Sequence, residues 1–138
     1  MVRLRLRRRG RTHHPFYDIV ATDARTKRDG KFIERIGYYN PMTQPSTISV
    51  DHERAIYWLS VGAQMSETVR KIFHYDGVLL RRALQHQGRS AEEIDRLVEE
   101  HRQRVLARYW RNKEKRAARK QRKAQQASAA EQQNEEQA

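Results

Sequence analysis

The sequence predicts an α+β fold: a small β-sheet with two or three packed helices, followed by a long C-terminal helical extension. Three observations carry this. Residues 2–50 alternate or cluster as strands do, residues from 51 onward repeat at helical period, and no apolar residue beyond Trp110 is larger than alanine. The first 80 of the 138 residues hold 33 hydrophobic side chains; the last 58 hold 18, of which ten are alanine. A core therefore belongs to the first part. The division expected is a core domain at 1–84, a basic helical extension at 85–123 and a disordered Gln/Ala/Glu tail at 124–138.

Each element has its own signal. Val2, Leu4 and Leu6 alternate with Arg3, Arg5 and Arg7, which predicts a half-buried strand with one apolar and one cationic face. After a turn at 10–15, residues 16–22 are aromatic and β-branched and predict a second strand. Residues 23–30 form a charged loop ending in Asp29-Gly30, a hairpin turn signal. A third strand at 32–39 is stopped by Asn40-Pro41, and Thr47 to Val50 alternate as a short fourth. Asp51 then suits a helix N-cap, with Ala55, Ile56 and Leu59 on one face until Gly62. Ser66 caps a second helix, with Val69, Ile72 and Phe73 at i, i+3, i+4 and Gly77 at its C-terminal stop; residues 78–84 continue as a third. Trp58 and Phe73 fall in these helical patterns and are assigned to the core. Ser90-Ala91-Glu92-Glu93 is a capping box that opens a run free of Gly and Pro, with a narrow stripe of Ile94, Leu97, Val98, Val105 and Tyr109.

Charge narrows the function. Lys and Arg number 29 against 17 Asp and Glu, a net +12 that points to a polyanion, nucleic acid being the commonest. With no cysteine there is neither disulfide scaffold nor thiolate chemistry. The basic start lacks the apolar stretch of a signal peptide and the helical amphipathicity of a transit peptide, so the expectation is a protein that stays in the compartment where it is made.

The glycines are too scattered for a phosphate-cradling loop, and no nucleophile elbow or zincin spacing occurs. His13 and His14 are adjacent and read as surface polar contacts rather than metal ligands. Asp23, Asp29 and Glu34 are the acids nearest the basic strand. A metal-dependent nuclease would use them together; the plainer reading has Asp23 and Asp29 shaping a loop and Glu34 pairing with an arginine. No enzyme and no cofactor is expected. A nonspecific DNA-packaging protein is the other rival.

The arginine strand stands apart. Arg3, Arg5, Arg7, Arg8, Arg9 and Arg11 meet no acid until Asp18, and same-face neighbours on a strand lie ~6.6 Å apart, a ladder suited to phosphates. Arg25, Lys27, Arg28 and Lys31 sit around a loop tip within reach of the same ligand. Tyr38 and Tyr39 end a strand, and at most one of them is expected to face a base.

The residues also resemble a known family. Val2-Arg3-Leu4-Arg5-Leu6, Arg8, Gly10, Pro15-Phe16-Tyr17 and Ile19-Val20 are similar to the opening of the bacterial small-subunit ribosomal protein sixteen family. The likeness continues through Asp23, Arg25, Arg28-Asp29-Gly30, Ile33-Glu34, Ile36-Gly37, Tyr39-Asn40-Pro41, the helix around Ala55 to Leu59, Gly62-Ala63 and Ser66 to Arg70. The resemblance implies a mixed sheet and a structural constituent of the 30S subunit that binds 16S rRNA and supports its folding and assembly. It implies neighbouring small-subunit proteins as partners, a cytoplasmic place in the ribosome, and neither a small-molecule substrate nor a homo-oligomer. Arg3, Arg5, Arg8 and Arg11 with the 23–30 loop fall in the family's basic segments; Arg7 and the His13-His14 pair depart from its usual residues. The RNA-binding set expected is Arg3, Arg5, Arg7, Arg8, Arg9, Arg11, His13, His14, Arg25, Lys27, Arg28 and Lys31.

Overall fold

The computed structural model describes the backbone of residues 1–136 and the side chains of residues 1–130. Strands β1 (Val2–Arg9), β2 (Phe16–Asp23), β3 (Glu34–Asn40) and β4 (Thr47–Val50) form an antiparallel meander. A two-residue β5 (Gln64–Met65) pairs parallel with β1, giving a mixed sheet of order β4-β3-β2-β1-β5. Helices α1 (His52–Ser60), α2 (Glu67–Asp76), α3 (Val78–His86) and α4 (Ala91–Glu136) follow. The fold class is the α+β expected. β5 escaped the sequence reading because two residues show no period.

The apolar face of β1 does what its alternation predicts. Leu4 lies opposite Ala21 and Leu6 opposite Ile19, and with Ile36 these meet Ala55, Leu59, Val69, Ile72, Phe73 and Val78 from the helices. Phe73 is wholly buried and Trp58 half-buried at the edge of this core. The caps are where the sequence places them. Asp51 Oδ1 accepts from the Arg54 amide at 3.2 Å, and Ser66 Oγ from the Val69 amide at 3.3 Å. Gly77, at φ +88°, ends α2 in the left-handed conformation and admits Val98 so closely that a Cβ would lie 3.0 Å from its Cγ1.

The third strand begins later than expected. Phe32 and Ile33 are exposed and precede it, because residues 24–33 cross back over the sheet before Ile33 N–H bonds to Ala21 O at 2.8 Å. Gly37 has a steric reason: a Cβ there would sit 2.1 Å from Ser49 O on β4.

The chain divides into two compact units, Met1–Gln103 and Arg104–Ala138. The first unit runs past residue 84, where the sequence sets the end of the core domain. Leu84 is buried against Ile94 and Val98 of α4, so the first turns of that helix complete the first unit. A polar network ties the same elements. Asp76 accepts from His52 Nε2 at 2.7 Å and pairs with Arg102 at 3.3 Å. Arg81 donates Nε to His52 Nδ1 at 3.1 Å and bonds Asp95 at 2.6 Å. At the start of α4, Ser90 Oγ accepts from the Glu93 amide at 3.4 Å, while the Glu93 carboxylate takes Arg89 at 2.7 Å. Within the 124–138 segment α4 runs as far as Glu136; Ala, Gln and Glu favour helix and no Gly or Pro interrupts it. Residues 137 and 138 of that tail lie outside the described residues.

Candidate nucleic-acid interface

The even positions of β1 (Val2, Leu4, Leu6) turn to the helices, leaving Arg3, Arg5, Arg7 and Arg9 on the other face. That face is not open. The 24–33 segment folds across it, held at its start by Ala24 N–H to Met1 O at 3.0 Å and at its tip by Gly30 N–H to Lys27 O at 3.0 Å. Asp23 Oδ1 caps the loop by accepting the Arg25 amide at 2.8 Å, a bond that lowers the Asp23 pKa from its ordinary value.

Beneath the loop, Arg5 donates to the carbonyl of Thr26 and to that of Lys27 at 2.8 Å. Arg7 packs over the Phe32 ring, its guanidinium carbon 5.2 Å from the centroid. Both residues are half-buried, and their Nε atoms are buried without an acceptor among the described residues. Of the three same-face arginines, Arg5 and Arg7 are thus covered by the loop while Arg3 stays exposed. Arg5 holds the loop through its bonds to two loop carbonyls, and Arg7 through the Phe32 ring.

The remaining set is open to solvent. Arg3, Arg8, Arg9, Arg11, His13 and His14 are exposed along β1 and the turn after it, as are Arg25, Lys27, Arg28 and Lys31 on the loop. His13 adopts φ +62°, so the two histidines occupy a tight turn. Arg28 pairs with Asp29 at 3.2 Å, which raises its already high pKa. A recess of about 540 Å³ between loop and strand is lined by Arg7, Asp29, Gly30, Lys31 and Phe32.

Two residues were missed. Asp18, 1 % exposed, accepts Arg35 at 3.0 Å and Arg9 at 3.3 Å, neutralising the middle of this face. A lone acid inside an apolar strand was the available signal. Arg35, whose guanidinium lies 5.9 Å from the Tyr38 ring centre, adds a further cation. Tyr38 stacks on Phe16 at 5.3 Å and Tyr39 on Tyr17 at 6.2 Å, so each already has an aromatic partner.

The acids of the nuclease reading are engaged separately. Glu34 takes Arg54 through two bonds of 2.7 Å and Trp58 Nε1 through a third, and its pKa is lowered, chiefly by Arg54. Among the described residues no three His, Asp or Glu side chains group as a metal site. The same residues include no helix long and apolar enough to cross a membrane.

Comparison with known proteins decides the family. The model of the family described as Ribosomal protein S16 matches residues 8–66. A protein of Chlorobium phaeobacteroides strain BS1, named small ribosomal subunit protein bS16, is 45 % identical over 138 residues, the whole of both chains. The chain belongs to the ribosomal protein S16 family. Family members of the same name include one from Desulforudis audaxviator, 56 % identical over 80 residues that make 58 % of this chain and 87 % of that one. Another, from Salinibacter ruber, is 49 % identical over 104 residues, 75 % of this chain but about half (51 %) of the relative. The S16 model spans the cationic turn, the loop and α1, while the Chlorobium relative runs alongside α4 as well.

Proposed function

We propose that this protein is a structural constituent of the bacterial 30S subunit that binds 16S rRNA and supports its folding and assembly, beside neighbouring small-subunit proteins in the cytoplasm. It acts by binding, not by catalysis, and needs neither cofactor nor self-association. The observation that carries this is the crowd of exposed cations on β1, the 10–14 turn and the loop laid across the strand. Such a surface neutralises phosphates from separate RNA segments and draws them together. Shape rather than a base code selects the site, because the donors are guanidinium and ammonium groups suited to phosphate oxygens.

Replacing Arg3, Arg8 and Arg11 with Gln in the full chain is expected to lower the salt slope of 16S rRNA binding by ~2–3, at ~0.7–0.9 per phosphate lost. Arg5→Gln should instead act through the loop, lowering stability. An unchanged slope in the triple variant with its fold intact overturns the assignment of this surface.

A further inference from the structure

The second unit carries a charge pattern that the β1 surface does not explain. Between residues 104 and 123 there are ten Lys or Arg and one acid, Glu114, all on the continuous helix α4. A helix advances ~100° per residue, and on that wheel all ten cations fall within an arc of ~200°. The other side holds Leu106, Ala107, Trp110, Glu114, Ala117, Ala118 and Gln121. The cations fall in two rows. Arg104, Arg108, Arg111, Lys115, Arg119 and Arg122 lie within ~80° of one another; Arg116, Lys120 and Lys123 make a second row centred ~110° away, interleaved with the half-buried Val105 and Tyr109 and extended by Lys113, which lies 5.0 Å from the Trp110 ring centre. All ten cations are exposed.

Within each row neighbours sit three or four residues apart, where like charges repel. A merely solvated helix has no reason to align them so, and every apolar residue here beyond Trp110 is alanine. Leu106 and Trp110 are exposed at the start of the stretch, but from 111 to 123 no aromatic or aliphatic anchor follows; a protein interface wants such anchors and is depleted in Lys, and a membrane-surface helix wants a bulky apolar face along its length. Two cation rows whose centres lie more than a quarter turn apart, over ~22 Å of helix, instead match two phosphate backbones flanking the helix.

We propose that residues 104–123 of α4 form a second RNA-binding site, in which the helix lies between two RNA phosphate backbones, one along each row, with the Trp110 side facing away. The inference rests on the preceding reading only in taking RNA as the ligand.

The test uses the full chain and a long RNA hairpin as probe, with binding measured across a salt series. Two triple variants, Arg108/Arg111/Lys115→Gln and Arg116/Lys120/Lys123→Gln, each remove three cations from one row. Each is expected to lower the salt slope by ~2–3. A third variant keeps the charge and moves it: Lys115→Ala with Ala117→Lys, and Arg119→Gln with Gln121→Arg. It should lose ~1–2 of slope although its net charge is unchanged. Gln and Ala preserve helix propensity, and circular dichroism checks that the helix remains. Wild-type slopes in both triple variants overturn the site. Loss in only one row overturns the two-backbone arrangement, and a relocated variant that binds like wild type shows that only the amount of charge matters, overturning it as well. The Arg3/Arg8/Arg11 variant, run beside these, reads the β1 surface independently: its failure to respond counts against that surface and leaves the helix result standing.

Discussion

Glu34 shows how one carboxylate ties the sheet to the helices. Its two bonds to Arg54 and the one from Trp58 Nε1 join β3 to α1, and Arg54 in turn lies 4.4 Å from the Tyr57 ring centre. The sequence named arginine as its partner but had no means of saying which, because the two are 20 positions apart and on different elements. The folded pKa of Glu34 lies below its ordinary 4.5, so its stabilisation is fully present above that value and is lost as pH falls through the lowered one. Denaturant titrations from pH 7 to pH 3 are expected to show Glu34→Gln less stable at neutral pH, with the gap to wild type closing below about 4.5. A gap that stays constant through that range would remove the carboxylate from the account. Arg5 teaches the same lesson from the other side: its place on the cationic face of β1 was plain, but its use, binding two loop carbonyls, was not.

The strands and helices were legible where local chemistry alone fixes them. The Val2–Leu6 alternation, the Asp51 and Ser66 caps and the left-handed Gly77 all sit where predicted, since each needs only neighbours in sequence. The third strand was placed two residues early, because Phe32 and Ile33 look like strand and are instead exposed at the end of a loop that doubles back. Gly37 gains its meaning only from β4. An alanine there would drive its methyl into Ser49 O, so Gly37→Ala is expected to cost toward the upper end of the ~1–3 kcal/mol usual for overpacking, read as a fall in urea midpoint at constant m-value. A neutral substitution would mean that β4 is free to shift away from β3.

For the molecule as a whole, the compact unit ends where packing ends. Ile94 and Val98 are buried on Leu84, so Ile94→Ala is expected to cost ~2–5 kcal/mol, whereas Leu106→Ala, at a residue 44 % exposed in the second unit, should stay within ~0.5 kcal/mol. Equal effects in thermal melts would argue that the boundary at Gln103 is misplaced. By itself the sequence determined the α+β class, the order of strands before helices, the apolar face of β1, the caps, the family likeness and the excess of positive charge, because period, turn chemistry and composition are properties of neighbouring residues. The tertiary structure alone decided which arginines of β1 are covered and which are exposed. A loop folding back over β1 covers Arg5 and Arg7, buried Asp18 pairs with Arg9 and Arg35 while leaving both exposed, and only contacts between distant segments can divide a uniform run of cations in this way.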